Sequence, residues 1–176
     1  MDLKNVGLKG VVPNGIESLT NLKKLILDDN DVTGVPDFAS NALLEELDIS
    51  YNLLKTYAGS FPTSITNLKM NNNTIELDIS TLISKLDTST LVHLDMSKNK
   101  LTGTLSNANF LSAGPLTTLK LAYNKLSGDL PSNIRSGAWE TFDVSNNFIT
   151  GSVPESLKTL DESKANIKCN MFSCTG

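Results

Sequence analysis

Seven asparagines fall in one register along this 176-residue chain. Asn30, Asn52, Asn73, Asn99, Asn124, Asn147 and Asn170 are spaced 22, 21, 26, 25, 23 and 23 residues apart. Ahead of each lies the same apolar pattern, L-x-x-L-x-L-x-x-N-x-L. The clearest copies are Leu22, Leu25, Leu27, Asn30, Val32 and Leu116, Leu119, Leu121, Asn124, Leu126. Trp139 and Phe142 take leucine positions in the sixth copy, and the seventh is weaker, with Glu162 and Ala165. One period earlier Met1, Leu3, Val6 and Leu8 fill the same positions, Val6 standing where Asn belongs. Self-similarity at a period of about 20–50 residues is the signature of a stacked repeat. No unit of that length buries its apolar side alone, so stacking supplies the common core.

The spacing within a repeat assigns each position a job. An apolar pair two apart, such as Leu25 and Leu27, is the inward side of a short strand of about three to five residues. One strand per repeat gives a parallel sheet. The Asn amide turns inward and satisfies backbone groups of its own and adjacent repeats, which would otherwise be buried unpaired at about 1–3 kcal/mol each. The chain then returns on the far side through irregular or 3₁₀ segments such as 13–19 and 154–160. The longest inserts, 77–90 and 105–115, bulge there.

The residues carrying this pattern resemble the leucine-rich repeat family. The tails Leu8-Lys-Gly-Val-Val-Pro13, Val32-Thr-Gly-Val-Pro36, Leu126-Ser-Gly-Asp-Leu-Pro131 and Ile149-Thr-Gly-Ser-Val-Pro154 resemble its plant-type extracellular class. Leu54-Lys-Thr and Ile75-Glu-Leu depart from it by lacking Gly. The resemblance implies an α/β-type solenoid, a right-handed superhelix with one short parallel β-sheet on the concave face and irregular or 3₁₀ segments on the convex face. It divides into a partial repeat over 1–13, full repeats over about 14–160 and a C-terminal cap repeat over about 161–176, all one domain. Asn30, Asn52, Asn73, Asn99, Asn124, Asn147 and Asn170 form its structural asparagine ladder. Cysteine-bearing caps close many extracellular members, and Cys169-Asn-Met-Phe-Ser-Cys174 resembles a short one. The pair reads as a disulfide worth about 2 kcal/mol, or as two reduced thiols in a cytosolic protein. Met1 falls at a buried strand position, so the chain reads as a fragment whose true N-terminus lies upstream.

Composition removes several functions. A net charge of −4 and a single Arg give no basic surface for nucleic acid. One His and two Cys leave little from which to build a zinc site, and no cofactor motif appears. No apolar run approaches the ~18 residues of a membrane span, and no basic-then-apolar leader opens the chain. The excess of Leu (27) and Asn (19) is the repeat itself.

Function therefore rests on the residues between the buried ones. The central outward column reads Ile26, Asp48, Lys69, Asp95, Lys120, Asp143, Asn166, with acid and base about one strand spacing, ~4.8 Å, apart. This is either a self-neutralising surface ladder or a charge-patterned docking face. The neighbouring column holds Asp29, Tyr51, Asn72, Lys98, Tyr123 and Asn146, with two tyrosines on either side of Lys98. The partner-binding candidates are Asp48, Tyr51, Lys69, His93, Asp95, Lys98, Lys120, Tyr123 and Asp143. His93, Asp95 and Ser97 do not make a triad: the ends lie ~13 Å apart with the acid in the middle. Asp28-Asp-Asn30-Asp-Val32-Thr-Gly34 departs from the calcium-loop pattern, lacking a side-chain oxygen at Val32, the turn glycine at Thr33 and the closing Glu at Ala39. Asn72-Asn73-Thr74 is an N-glycosylation acceptor sequence. The column Lys9, Thr33, Lys55, Glu76, Thr102, Ser127, Thr150, Ser173 is the one an ice- or matrix-binding face would use, and Lys55 and Glu76 interrupt it.

These readings point to a monomeric, non-enzymatic recognition module, extracellular or on the cell surface rather than cytoplasmic. It takes a protein or peptide ligand on its concave face and needs no cofactor, metal, nucleic acid or membrane contact. The alternative is a structural, interfacial protein.

Overall fold

Short strands form where a leucine pair is flanked by polar residues. The computed structural model describes residues 1–137 and 139–173. In chain order its elements are β1 (Lys9–Val11), β2 (Lys24–Ile26), β3 (Asp31–Gly34), β4 (Glu46–Asp48), β5 (Asn67–Lys69), α1 (Ile79–Ile83) and β6 (His93–Asp95). There follow β7 (Thr118–Lys120), β8 (Ser127–Asp129), β9 (Thr141–Asp143), β10 (Phe148–Thr150), α2 (Glu155–Lys158) and β11 (Ala165–Asn166). The concave sheet is wholly parallel, in the order β2-β4-β5-β6-β7-β9-β11. Each strand is one repeat further along the chain, and the register keeps Leu25, Leu47, Leu68, Leu94, Leu119 and Phe142 in one line. This is the right-handed solenoid with its short parallel sheet that the repeat implies.

Two further sheets were not anticipated. β1 pairs with β3, and β8 with β10, both parallel. Their strands lie in the Gly-containing tails just past the asparagines. A strand such as Ser127-Gly-Asp129 carries no period-2 apolar signal, and Gly128 has φ +70°, so pattern reading passes over it. Between these sheets lie the Gly-less tails at Leu54 and Ile75. There Tyr57 takes up the space, stacked on Phe61 at 4.5 Å and donating from its hydroxyl to the Ser60 carbonyl at 2.7 Å. Burial pushes that phenol far above its usual pKa.

The asparagines tie each repeat to its predecessor. Asn52 Nδ2 donates to the carbonyls of Ile49 and Ser50 in its own repeat and of Leu27 one repeat back, at 3.3, 2.9 and 2.9 Å. Its Oδ1 accepts from Val32 N at 2.9 Å. Asn30, Asn73, Asn99, Asn124, Asn147 and Asn170 make the same set. One side chain thus satisfies an N–H and three C=O groups that the narrow turn would otherwise strand.

The tail glycines are set by the neighbouring repeat. A Cβ on Gly128 would meet Thr104 Oγ1 at 2.8 Å, and one on Gly151 would meet the Asp129 carboxyl carbon at 2.5 Å. Asp129 is itself held by Thr150 Oγ1 at 2.8 Å, and Gly151 has φ +74°. Gly151→Ala is expected to cost about 2 kcal/mol, from the left-handed backbone plus the clash. Gly15→Ala, in open space, should leave the guanidinium midpoint unchanged.

On the convex side 3₁₀ turns occur at Asn14–Ser18 and Asn109–Leu111. The segment after Pro154, expected to be irregular or 3₁₀, instead makes the α-helical turn α2, with Pro154 at its N-cap. Asp78 caps α1 by accepting from Ser80 N and Oγ at 2.8 and 2.5 Å. These bonds hold its carboxyl below the usual range, and Asp87 with Ser89 and Asp161 with Ser163 repeat the arrangement. A depressed folded-state pKa adds stability that is present above the unfolded value of about 4 and is lost as pH falls through the folded one. Thermal midpoints should therefore begin to fall below about pH 4, by less in Ser80→Ala.

One apolar core runs from Val12 to Leu157 without a break. Trp139 is its bulkiest fully buried side chain. Met1, expected in a buried strand position, is half-exposed. Its amine donates to Lys24 O and its carbonyl accepts from Ile26 N, so its backbone extends the sheet while its side chain lies at the edge. Cys169 is exposed with φ +55°. The expected bridge to Cys174 lies outside the described residues.

Candidate functional site

The concave face is built from the two polar positions that flank the inward leucine of each strand. Parallel pairing sets Ile26, Asp48, Lys69, Asp95, Lys120, Asp143 and Asn166 in one column, and Lys24, Glu46, Asn67, His93, Thr118 and Thr141 in the next. At their centre a hollow of about 210 Å³ is lined by Asn67, Lys69, His93, Leu94, Asp95, Thr118 and Lys120. It gathers Lys69, His93, Asp95 and Lys120 of the candidates. Asp48 and Asp143 lie further along the same column, and Tyr51, Lys98 and Tyr123 lie on the rim.

Asn67 and Thr118 were missed. They occupy the strand position that His93 holds, so the same register reaches them. Asn67 Oδ1 is buried with no donor among the described residues, a costly state for an acceptor unless something else donates to it.

The charges are not arranged as a ladder of paired opposites. Lys69 reaches Asp48 at 3.5 Å. Among the described residues Asp95 and Asp143 form no ion pair with Lys69 or Lys120, although the column alternates in sign. The acids are turned along their own strands instead. Asp48 Oδ1 accepts from Ser50 N and Oγ at 3.1 and 2.5 Å, Asp95 Oδ1 from Ser97 N and Oγ at 3.0 and 2.7 Å, and Asp143 Oδ1 from Ser145 N at 3.0 Å. This Asp-x-Ser clamp holds the strand exit. It leaves Lys120 with no ion pair among the described residues and Lys69 with one at long range.

The same clamp disposes of the triad geometry. Ser97 Oγ donates to Asp95, and His93 makes no side-chain hydrogen bond among the described residues. Among those residues no cluster of three or more His, Cys, Asp or Glu is placed to hold a metal ion. No helix of the described chain is long and apolar enough to cross a membrane.

The rim column has a backbone constraint that the sequence pattern does not display. Asp29, Tyr51, Asn72, Lys98, Tyr123, Asn146 and Cys169 all have φ between +50° and +60°, and Asn5 has +48°. Each immediately precedes a ladder position, where the chain turns sharply enough for the next side chain to point inward. Tyr51 and Tyr123 are 54% and 55% exposed. Asn52 N donates to Asn72 O and Asn99 N to Tyr123 O, so successive rim residues are neighbours. Lys98 therefore sits directly beside Tyr123, while Asn72 separates it from Tyr51.

Part of the hydroxyl column on the tail side is engaged with the fold. Thr150 Oγ1 donates to Asp129 and Ser173 Oγ to Gly151 O. Lys55 and Glu76 stand exposed between its halves.

The family model described as Leucine Rich Repeat matches residues 43–68, 90–110, 115–136 and 139–160. The receptor-like protein kinase BRI1-like 3 of Arabidopsis thaliana is 30% identical over 169 residues, 95% of this chain and 11% of that protein. Human oligodendrocyte-myelin glycoprotein is 33% identical over 153 residues, 85% of this chain and 32% of that protein. The chain thus spans less than a third of the length of these relatives. Among solved structures, the Arabidopsis receptor kinase HAESA ectodomain, in complex with an N-terminally extended IDA peptide hormone ligand, superposes with a TM-score of 0.79. It is 29% identical, over 98% of this chain and 29% of that one. With the register, the asparagine bonding and the parallel sheet in place, these matches establish that the chain belongs to the leucine-rich repeat family.

Proposed function

We propose that this chain is the leucine-rich repeat region of an extracellular or cell-surface protein. It is a recognition module that does no chemistry and holds a peptide or protein segment on its concave face. One domain carries the role: a partial repeat over 1–13, full repeats over about 14–160 and a cap repeat over about 161–176. The observation that carries the reading is the central hollow, where Lys120, with no ion pair among the described residues, stands beside Lys69, His93 and an Asn67 acceptor that has no partner among those residues. A self-satisfied surface has no such groups. Polar ligand atoms supply what they lack, and the rim anchors Tyr51 and Tyr123 add aromatic contact area of the kind enriched at binding hot spots, with the Lys98 ammonium beside Tyr123. The peptide hormone complex of the HAESA ectodomain supports the same ligand class. Asp48, Asp95 and Asp143 contribute their outer carboxylate oxygens.

The test is a screen of secreted and surface proteins and peptides by biolayer interferometry, with charge and rim variants as controls. Lys69→Gln/Lys120→Gln is expected to weaken a captured partner at least tenfold, most at low salt, with the thermal midpoint close to wild type because only the partly exposed Lys69–Asp48 pair is lost. Tyr123→Asn places on the rim the residue that Asn72 and Asn146 already supply. It should hold or raise stability, because Asn tolerates the left-handed backbone, while weakening binding. A screen that yields no partner at micromolar affinity, or variants that bind as wild type, would overturn the reading.

A further inference from the structure

We propose that Asn72 is an N-glycosylation site and that its glycan partitions the concave rim. The inference rests on the extracellular reading above. Asn72-Asn73-Thr74 is the one N-x-Ser/Thr sequence among the 19 asparagines of the chain. The fold separates the roles of its three residues. Asn73 is buried and fully used, its amide bonded to Ile49 O, Met70 O and Leu54 N. Thr74 Oγ1 donates to Leu54 O at 3.0 Å. Asn72 is held by its backbone alone, donating from N to Ser97 O and accepting from Asn52 N. Its side chain, partly exposed on the rim, makes no hydrogen bond among the described residues, so a sugar on Nδ2 displaces nothing on which the fold depends.

The chemistry is a group transfer from a lipid-linked oligosaccharide pyrophosphate. Asn72 Nδ2 attacks the anomeric carbon and a C–N bond forms. The C–O bond to the pyrophosphate breaks with its electron pair staying on the departing lipid pyrophosphate, and the proton lost by the amide nitrogen passes to a base of the transferase and on to solvent. The transferase acts on the chain before its turn closes, when the Thr74 hydroxyl is free, and the finished fold leaves the product in solvent.

Placement gives the glycan a consequence. Rim neighbours are one strand spacing, about 4.8 Å, apart, so the first sugar lies over Tyr51 on one side and Lys98 on the other. Where Asn72 carries the glycan, the exposed Tyr51 ring becomes a surface for the sugar and drops out of the rim anchors named above. Docking then shifts to the half of the face that carries Lys120, Tyr123 and Asp143.

The experiment is secretion of the chain behind a leader from a glycosylating eukaryotic cell, followed by intact-mass and peptide mass spectrometry. The expected result is one N-glycan, on Asn72, released by peptide-N-glycosidase with conversion of Asn72 to Asp. Thr74→Ser should retain it and Asn72→Asp abolish it, with unchanged circular dichroism because Asp also tolerates a positive φ. Secreted, folded wild type with unmodified Asn72 overturns the proposal. Because the leader forces the route, that failure is distinct from a failure of the extracellular reading. The latter is read separately, from whether the endogenous chain enters the secretory pathway. A partner found by the screen should bind wild type and Asn72→Asp alike through the Tyr123 half, and differ at least tenfold only if it docks on Tyr51.

Discussion

Trp139→Ala is expected to lower stability by about 4 kcal/mol, the upper part of the range for emptying a buried aromatic site. The indole is 1% exposed and fills a leucine position in the sixth repeat. It meets Phe142 edge-on at 5.0 Å and lies under the Arg135 guanidinium at 4.6 Å, with Nε1 donating to Arg135 O at 3.1 Å. Losing it opens a cavity, strands the Arg135 carbonyl, and takes the aromatic face from the chain's single arginine. Trp139→Phe keeps most of the volume and should cost about 1.5 kcal/mol. Guanidinium unfolding followed by circular dichroism measures both. In wild type the lone tryptophan also reports the sixth coil by fluorescence. An Ala variant within 1 kcal/mol of wild type would mean that this coil already relaxes around the site.

Asn147→Ala should cost about 3 kcal/mol, because several buried backbone groups lose their partner together. The Asn147 amide donates to Leu121 O, Val144 O and Ser145 O at 3.0, 3.0 and 3.1 Å and accepts from Leu126 N at 3.0 Å. Asn147→Asp separates shape from hydrogen bonding. It keeps the acceptor for Leu126 but points a carboxylate at three carbonyl oxygens. At neutral pH it should be less stable than the Ala variant. Its folded-state pKa is raised, so relative to wild type it is most stable below the unfolded value of about 4 and loses stability as pH rises through the folded value. An Asp variant with no such pH dependence would show that the carboxylate escapes to solvent. Because each repeat contacts only its neighbours, either change should loosen the C-terminal coils before the N-terminal ones.

The concave sheet was legible because two constraints coincide in each repeat. A leucine pair such as Leu25 and Leu27 marks a half-buried strand, and the common period sets which strand lies beside which. From those alone the columns follow, including the placement of Asp48, Lys69, Asp95, Lys120 and Asp143. What was not legible depends on side-chain torsions and on signs of φ. Asp95 and Lys120 stand opposite each other, yet the carboxylate turns toward Ser97, two residues along its own strand, where an N–H and a hydroxyl both donate to it. The alternation of charge gives no sign of that competition, although the recurring Asp-x-Ser spacing does. The small sheets of β1 with β3 and β8 with β10 are not legible because they lie in the tails just past the asparagines, where β1, β3 and β8 carry a glycine that reads as a turn and the three residues of β10 are too short a signal alone.

The left-handed turn before every ladder position limits what the rim can become. At φ near +55° a side chain branched at Cβ is penalised most, so Val, Ile and Thr are disfavoured along that whole edge. Asn, Asp, Tyr, Lys and Cys, the residues found there, are unbranched at that carbon. New specificity on this edge is therefore drawn from side chains unbranched at Cβ, of which the amide, carboxylate, phenol, ammonium and thiol groups are the ones present. The strand columns beside it, with extended backbone, accept β-branched side chains as well and bar only proline, which has no N–H for the ladder. An engineered or diverging partner surface on this solenoid gains variety in the strands and keeps a narrower, unbranched vocabulary at the rim.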